Sequence, residues 1–452
     1  MTTINTTENT YRKGSRCSNL PLGLFQINVV FLVVVFLICT SLIDSYTCAP
    51  TTLTHPTQQC RIHETKNRLE PLFASTSTPS TTTRPQAKPQ TGIAQWLLDR
   101  ALESPLWKLL LVPQAKATMT KTAEANGIPW MKAREWIQQA DGPWKATSDE
   151  KQGNVLSVEA YPEYYRREFH AYDNGNLSWK AAFEQEIASR AVGARNFPTY
   201  KEKGEDAFRG AFDYALTSLG ANVPDQGIIV DLGCGTGAST RRLAARWTNA
   251  KHIIGMDLSP YFIEVGRKLL ELQPKSFGEG GRWVTTILSD PRINLRVGNA
   301  ADTALPDNFA DVVNLQFILH ELPLSATKKV CNEALRILKP GGQLWICEMD
   351  FDSPAYAAQR SNALLFSLLR STEPYLDEYA DGMAETREFL AQKFASVKTE
   401  AATGRHYALI ATKSSTMDTE LQSPAVIEDR RFKADGSYAI EDTHLKLWES
   451  KQ

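Results

Sequence analysis

Three groups of residues in this 452-residue chain have types and spacings that do chemistry. The first is Asp231-Leu-Gly-Cys-Gly-Thr-Gly237, which places Asp231, Gly233, Cys234, Gly235 and Gly237 in one short run. Glycines let backbone pass close to a ligand at dihedrals other residues avoid. The helix expected after Gly237 offers unpaired N–H groups to a carboxylate or phosphate. The second is Asp257, 20 residues after Gly237, where a carboxylate can accept both hydroxyls of a ribose. The third is His320-Glu321, an imidazole beside a carboxylate that can orient it or take a proton itself. His170 and Asp350 are secondary candidates for the same work. Spacing gives the loop its meaning. A dinucleotide fold would read Gly-x-Gly-x-x-Gly. Here the third glycine comes one residue early and an acid precedes the turn.

The elements that must position these residues alternate between strand and helix. Ile228-Ile-Val230 suits a buried parallel strand. An amphipathic helix with Leu243 and Trp247 on one side follows the loop. Further strands are predicted at 252–256, 293–297, 309–317 and 343–349, with helices at 260–272 and 324–338 between them. Asp257 closes the second strand, and His320 lies just past the fourth, at the end where open α/β sheets bind ligands. A closing pair of strands is predicted at 397–401 and 406–412.

Asp231-Leu-Gly-Cys-Gly-Thr-Gly237, Asp257, Gly298-Asn-Ala-Ala-Asp302 and Lys339-Pro-Gly-Gly342, in that order, resemble the motifs of class I S-adenosylmethionine (SAM)-dependent methyltransferases. The similarity spans about residues 225–412. It is greatest to small-molecule methyltransferases, including those of ubiquinone and menaquinone biosynthesis. The aromatic stretch from Tyr161 and Glu373-Pro-Tyr-Leu-Asp377 also look like uncharacterised plastid methyltransferases of plants and algae.

The resemblance implies an α/β fold: a Rossmann-like, seven-stranded, mostly parallel sheet with helices on both faces, its last strand antiparallel, plus an N-terminal helical extension. It implies SAM as cofactor and a small-molecule methyl acceptor. Asp231 and the glycine backbone would hold the methionine part, and Asp257 with Leu258 the ribose. Asn299 and Ala300 would meet the adenine, Asn299 standing where the family often has Asp, and Gln316 at the end of the fourth strand would line the cofactor. The segment before the first strand would fold over the methyl group, making Tyr164, Tyr165, His170 and Tyr172 lid candidates; aromatic packing is the alternative. Displacement from a sulfonium releases a neutral group, so alignment and water exclusion matter most. His320 is then the expected base, or alternatively a cap to a helix. A SAM-binding domain without chemistry is one alternative function, and a nicotinamide-dependent oxidoreductase another.

Composition narrows the partners. A formal net charge of −1 gives no reason to expect a nucleic-acid surface. The seven cysteines form no Cys-x-x-Cys or Cys/His cluster, so neither metal nor disulfide framework is expected, and the folded part should hold reduced thiols. Leu22 to Ile43 is almost wholly apolar and about long enough to cross a bilayer. Residues 49–91 are rich in Thr, Ser and Pro and poor in acids. Together they resemble the two-part presequence of algae with secondary plastids, entering the secretory pathway and then the plastid. An uncleaved membrane anchor is the alternative. The expected organisation is therefore a presequence (1–91), a helical extension or cap (92–224), a methyltransferase domain (225–412) and a mostly disordered tail (413–452), with His444–Trp448 as a candidate docking segment. Ser178 is an expected helix N-cap within the extension.

Overall fold

The computed structural model describes residues 112–139, 161–170, 172–271, 290–362, 366, 369–370, 372–415 and 423–440. The expected presequence, most of residues 274–291 between the predicted second helix and third strand, and His444–Trp448 lie outside these residues. Among the described residues, no helix is long and apolar enough to cross a membrane.

The first helices are α1 (Val112–Ala125) and α2 (Trp130–Gln139), joined by a turn at Gly127-Ile-Pro. Then come α3 (Trp179–Asn196) and α4 (Gly204–Ser218). Ser178 caps α3 as its sequence position predicts, its side chain accepting the Ala181 N–H at 3.2 Å. The alternating region follows: β1 (Ile228–Leu232), α5 (Ala238–Arg246), β2 (His252–Asp257), α6 (Pro260–Glu271), β3 (Ile293–Val297), β4 (Ala310–Gln316), α7 (Leu324–Ile337) and β5 (Leu338–Met349). The chain closes with α8 (Pro354–Ser361), α9 (Leu376–Lys393), β6 (Ser396–Ala401), β7 (His406–Thr412) and β8 (Ile427–Asp429).

The strands form one sheet in the order β3-β2-β1-β4-β5-β7-β6-β8. β3, β2, β1, β4 and β5 pair in parallel, and β7 runs antiparallel to both β5 and β6. Successive strand residues point to opposite faces, so each strand feeds two cores. Val230, Val313 and Leu344 enter the layer built with α7 and α9, where Val330, Ile337 and Leu390 meet them. Ile229, Val312 and Trp345 enter the other layer, against Phe208 and Phe212 of α4 and Leu243 of α5. Each such side chain contributes about 1.5–3 kcal/mol by leaving water.

The structure differs from the sequence expectations in two places. The sheet has eight strands rather than seven, because residues 427–429 of the expected tail pair in parallel with β6. Buried Arg431 anchors that segment, donating to Asp350 at 2.7 Å and to Asp429 at 2.8 Å, while the Tyr438 hydroxyl donates to Asp350 at 2.8 Å. Within the expected extension, α4 packs directly on the sheet. Finally, Lys339-Pro-Gly-Gly342 does not precede β5 but interrupts it. Ala310 pairs with Leu338 and Val312 with Gln343, so the intervening residues bulge out, Gly341 taking a φ of 77°.

Candidate active site

Strand order reverses between β1 and β4, and the crevice at their carboxyl ends holds the glycine turn. Gly233 and Gly235 have φ values of 72° and 56°. Added Cβ atoms there would collide with Ile318 and with the Gln185 side chain respectively, so the turn requires glycine for both conformation and space. The loop is tied to β2 by the Gly233 and Cys234 N–H groups, which donate to Met256 O at 2.8 and 3.1 Å. Thr236 Oγ1 donates to Gln185 Oε1 at 2.5 Å, clamping the turn from α3. Cys234 is buried, and burial pushes its thiol well above the ordinary range.

Asp231 is buried, and its carboxylate already has partners. Oδ2 accepts from Ser239 Oγ (2.7 Å) and Thr240 Oγ1 (2.6 Å), and Oδ1 accepts from Asn314 Nδ2 (2.7 Å). Burial raises its pKa and these bonds oppose the rise. Its direct work is to fasten β1 to β4 and to the start of α5. Asp257 stands at the end of β2, beside the loop. Oδ2 accepts the Gly235 N–H (2.9 Å), and Oδ1 accepts the Ser259 N–H (2.8 Å) and the Tyr165 hydroxyl (3.2 Å). Burial again raises the pKa against these donors. The adjoining Leu258 is buried.

The other expected cofactor residues fall as follows. Asn299 follows β3, and its Oδ1 accepts the Ala301 N–H at 2.9 Å, closing its own turn; Ala300 packs against the core. Gln316 turns the other way: its Oε1 accepts from Arg209 Nη1 of α4 at 2.8 Å. Of the lid candidates, Tyr165 reaches Asp257 and Tyr164 packs edge-on to Tyr375, with ring centroids 6.5 Å apart. Tyr172 does not join them. Its hydroxyl donates to Glu184 at 2.5 Å, and Lys116 lies over its ring.

His320 lies in a short turn, Leu319–Glu321, after β4. Its partner is one the sequence analysis missed. Glu348, wholly buried on β5, accepts N–H bonds from Leu319 (3.0 Å) and His320 (3.3 Å) and has both oxygens 3.0 Å from His320 Nδ1. Burial alone would lower the His320 pKa; the Glu348 charge and hydrogen bond outweigh it and bring it up to about 10. Glu348 thus favours the protonated, donating ring, which works against the expected role as base. Burial pushes the neighbouring Glu321 up to about 7, against the pull of His170 and His320. Asn176 Nδ2 donates to Glu321 at 3.2 Å. His170 comes from the lid segment with a φ of 49°, and its Nε2 lies 2.8 Å from Glu373 Oε1. Asp350, the remaining candidate, belongs to the Arg431 anchor instead. A sequence signal for Glu348 did exist: an acid inside Leu344-Trp-Ile-Cys-Glu-Met349 cannot be buried without a partner.

A parallel sheet closed by an antiparallel β7, a glycine turn after β1 and an acid ending β2 form the arrangement of a class I SAM-dependent methyltransferase domain, and the sequence of this region matches such a domain. Residues 230–346 match the family described as "Methyltransferase domain". A demethylmenaquinone methyltransferase of Clavibacter sepedonicus is 30% identical over 162 residues, 36% of this chain and 56% of the relative. That of Symbiobacterium thermophilum is 32% identical over 119 residues, 26% of this chain and 41% of the relative. The chain thus spans about half the length of these relatives. The solved PH0226 protein of Pyrococcus horikoshii aligns at 17% identity with a TM-score of 0.34, covering 49% of this chain and 98% of that one.

SAM is the cofactor of the class, and the residues present fit it. The turn is free of side chains where glycine is obligatory, and the Asp257 carboxylate beside it, its donors all neutral, suits a vicinal diol.

Proposed function

We propose that this protein transfers a methyl group from SAM to a small organic acceptor, and that it does so in a plastid. The observation carrying the activity is Asp257: a buried carboxylate hydrogen-bonded to the Gly235 N–H and reached by Tyr165 from the lid segment. Bound SAM supplies a methyl group on a sulfonium, which leaves a neutral thioether. The protein's own residues bind and align. Asp257 takes the ribose hydroxyls, the Gly233–Gly237 turn carries the amino-acid end, and Asn299 closes the turn that receives the base. Asp231, through Ser239, Thr240 and Asn314, keeps that turn in shape. Tyr164 and Tyr165 cover the crevice and exclude water, which a displacement at carbon requires. The acceptor enters on the His320–Glu321 side. The demethylmenaquinone methyltransferases among the relatives make an apolar ring acceptor a reasonable first choice for assay.

Calorimetry with the full chain tests the cofactor: micromolar binding of SAM and S-adenosylhomocysteine without NADH binding supports the reading. Folded protein that binds no SAM overturns it and favours a partner-binding domain, whereas NADH binding favours an oxidoreductase. Transfer of labelled methyl into a plastid small-molecule extract then tests catalysis. Residues 1–91 act as the presequence, with no membrane contact once they are cleaved. A native N-terminus between residues 70 and 95 supports this, and a retained 22–43 segment refutes it.

A further inference from the structure

We propose that His170, His320 and Glu321 bind one divalent transition-metal cation beside the cofactor site. One ring nitrogen of each histidine and one oxygen of Glu321 lie within 4.8 Å of one another. Two imidazoles and a carboxylate make a ligand set used by zinc and by non-haem iron, and it leaves coordination positions open for a substrate oxygen. The absence of a Cys-x-x-Cys or Cys/His cluster gave no sign of a metal site; His170 stands 150 positions from His320, and only the fold brings them together.

Each ligand is held from behind. Glu348 fixes Nδ1 of His320 and so leaves Nε2 as the ligand atom, the carboxylate–histidine arrangement that orients metal-binding imidazoles. Asn176 holds Glu321 at 3.2 Å. His170 is fixed by its left-handed backbone and by its N–H, which donates to Thr372 O at 3.0 Å. Glu373 is a further carboxylate at the edge of the group, 2.8 Å from His170 Nε2. Three carboxylates, Glu321, Glu348 and Glu373, thus surround two imidazoles, a charge balance that suits a dication. On binding, the cation replaces the ligand-nitrogen proton of any protonated ring, and that proton passes to solvent.

The location gives the ion a task. Ile318, just before this turn, lies against Gly233, while Tyr165 of the strap carrying His170 reaches Asp257. An acceptor oxygen bound to the cation would lie at the wall of the crevice assigned to SAM. This task rests on the proposed methyltransferase activity; the binding of the ion does not.

The test is titration of tag-free, chelator-stripped full-length protein with Co²⁺, read by its visible d–d absorption and by elemental analysis. Wild type should take up one Co²⁺ per chain, and His170→Ala and Glu321→Gln should each weaken uptake by roughly tenfold or more. The His170 side chain is 41% exposed, so its removal leaves no buried void, and circular dichroism checks the fold of both variants. Absence of saturable Co²⁺ binding, or equal binding in wild type and variants, overturns the proposal. SAM calorimetry on the same wild-type samples separates the two readings: SAM binding without Co²⁺ uptake rejects the metal site alone, while loss of both rejects both.

Discussion

Asp257→Ala should weaken SAM binding by roughly 30- to 1000-fold. The carboxylate is buried beside the glycine turn and already accepts from Gly235, Ser259 and Tyr165. Hydrogen bonds to a charged group contribute about 1.5–3 kcal/mol each. A ribose brings two hydroxyls, but one must share or displace Tyr165 on Oδ1, so it counts only in part. The sum is about 2–4 kcal/mol, and each 1.4 kcal/mol is about a factor of ten. The variant also leaves the Gly235 and Ser259 N–H groups without their acceptor. This costs about 1–3 kcal/mol per group that stays unsatisfied. Calorimetry of SAM and S-adenosylhomocysteine binding gives the affinity, and urea unfolding without ligand gives the stability separately. Affinity within about threefold of wild type, in a variant that unfolds cooperatively, would refute the ribose assignment; about 0.7 kcal/mol is too small for one lost charged bond.

Other measurements bear on the scaffold. Asn314→Ala removes the donor to Asp231 Oδ1 and should cost about 1–3 kcal/mol in urea unfolding; no change would mean that Asp231 does not fasten β1 to β4. Arg431→Ala leaves Asp350 buried without its cation and should cost about 3–5 kcal/mol, whereas a truly disordered tail would show no loss. Burial would raise the Glu333 pKa, but hydrogen bonds from Arg336 and Thr303 bring it down from 4.5 to about 2. Its depressed pKa stabilises the fold above about pH 4.5, and that share fades as pH falls toward 2; Glu333→Gln should lack this pH-dependent component in acid unfolding. Cys234, Cys331 and Cys347 are free and buried, with the Cys331 thiol pushed up to about 12 by burial. Mass-spectrometric mapping after mild alkylation should find all three unmodified in the native state.

Local patterns made much of this legible. β-branched runs, the glycine spacing and Asp257 reported β1, the turn and β2 because each is encoded within a few residues. The Ser178 cap was readable for the same reason. What escaped was long-range. Glu348 looked like one polar residue in an apolar strand until β4 and β5 came into register beside His320. Asp231 resembled a ligand-binding acid, yet most of its partners arrive from α5 and β4. Tyr172 sat among lid candidates, but the direction of its side chain is set by Glu184 on α3. β8 was hidden because three residues of strand carry almost no periodic signal, and Arg431 reads as a solvated charge until Asp350 is placed beneath it.

The late position of β8 bears on how the protein is made. β6 is complete at Ala401, but its outer edge is covered only once Ile427–Asp429 arrive and Arg431 reaches Asp350. At roughly 5–20 residues per second, the 30 residues from Ala401 to Arg431 take about 2–6 s to synthesise. Through that interval the nascent sheet presents unpaired N–H and C=O groups along β6, a template for strand addition by any neighbouring chain. Crowded polysomes, or a premature stop just after β7, would therefore turn the last strand's absence into aggregation rather than mere loss of stability.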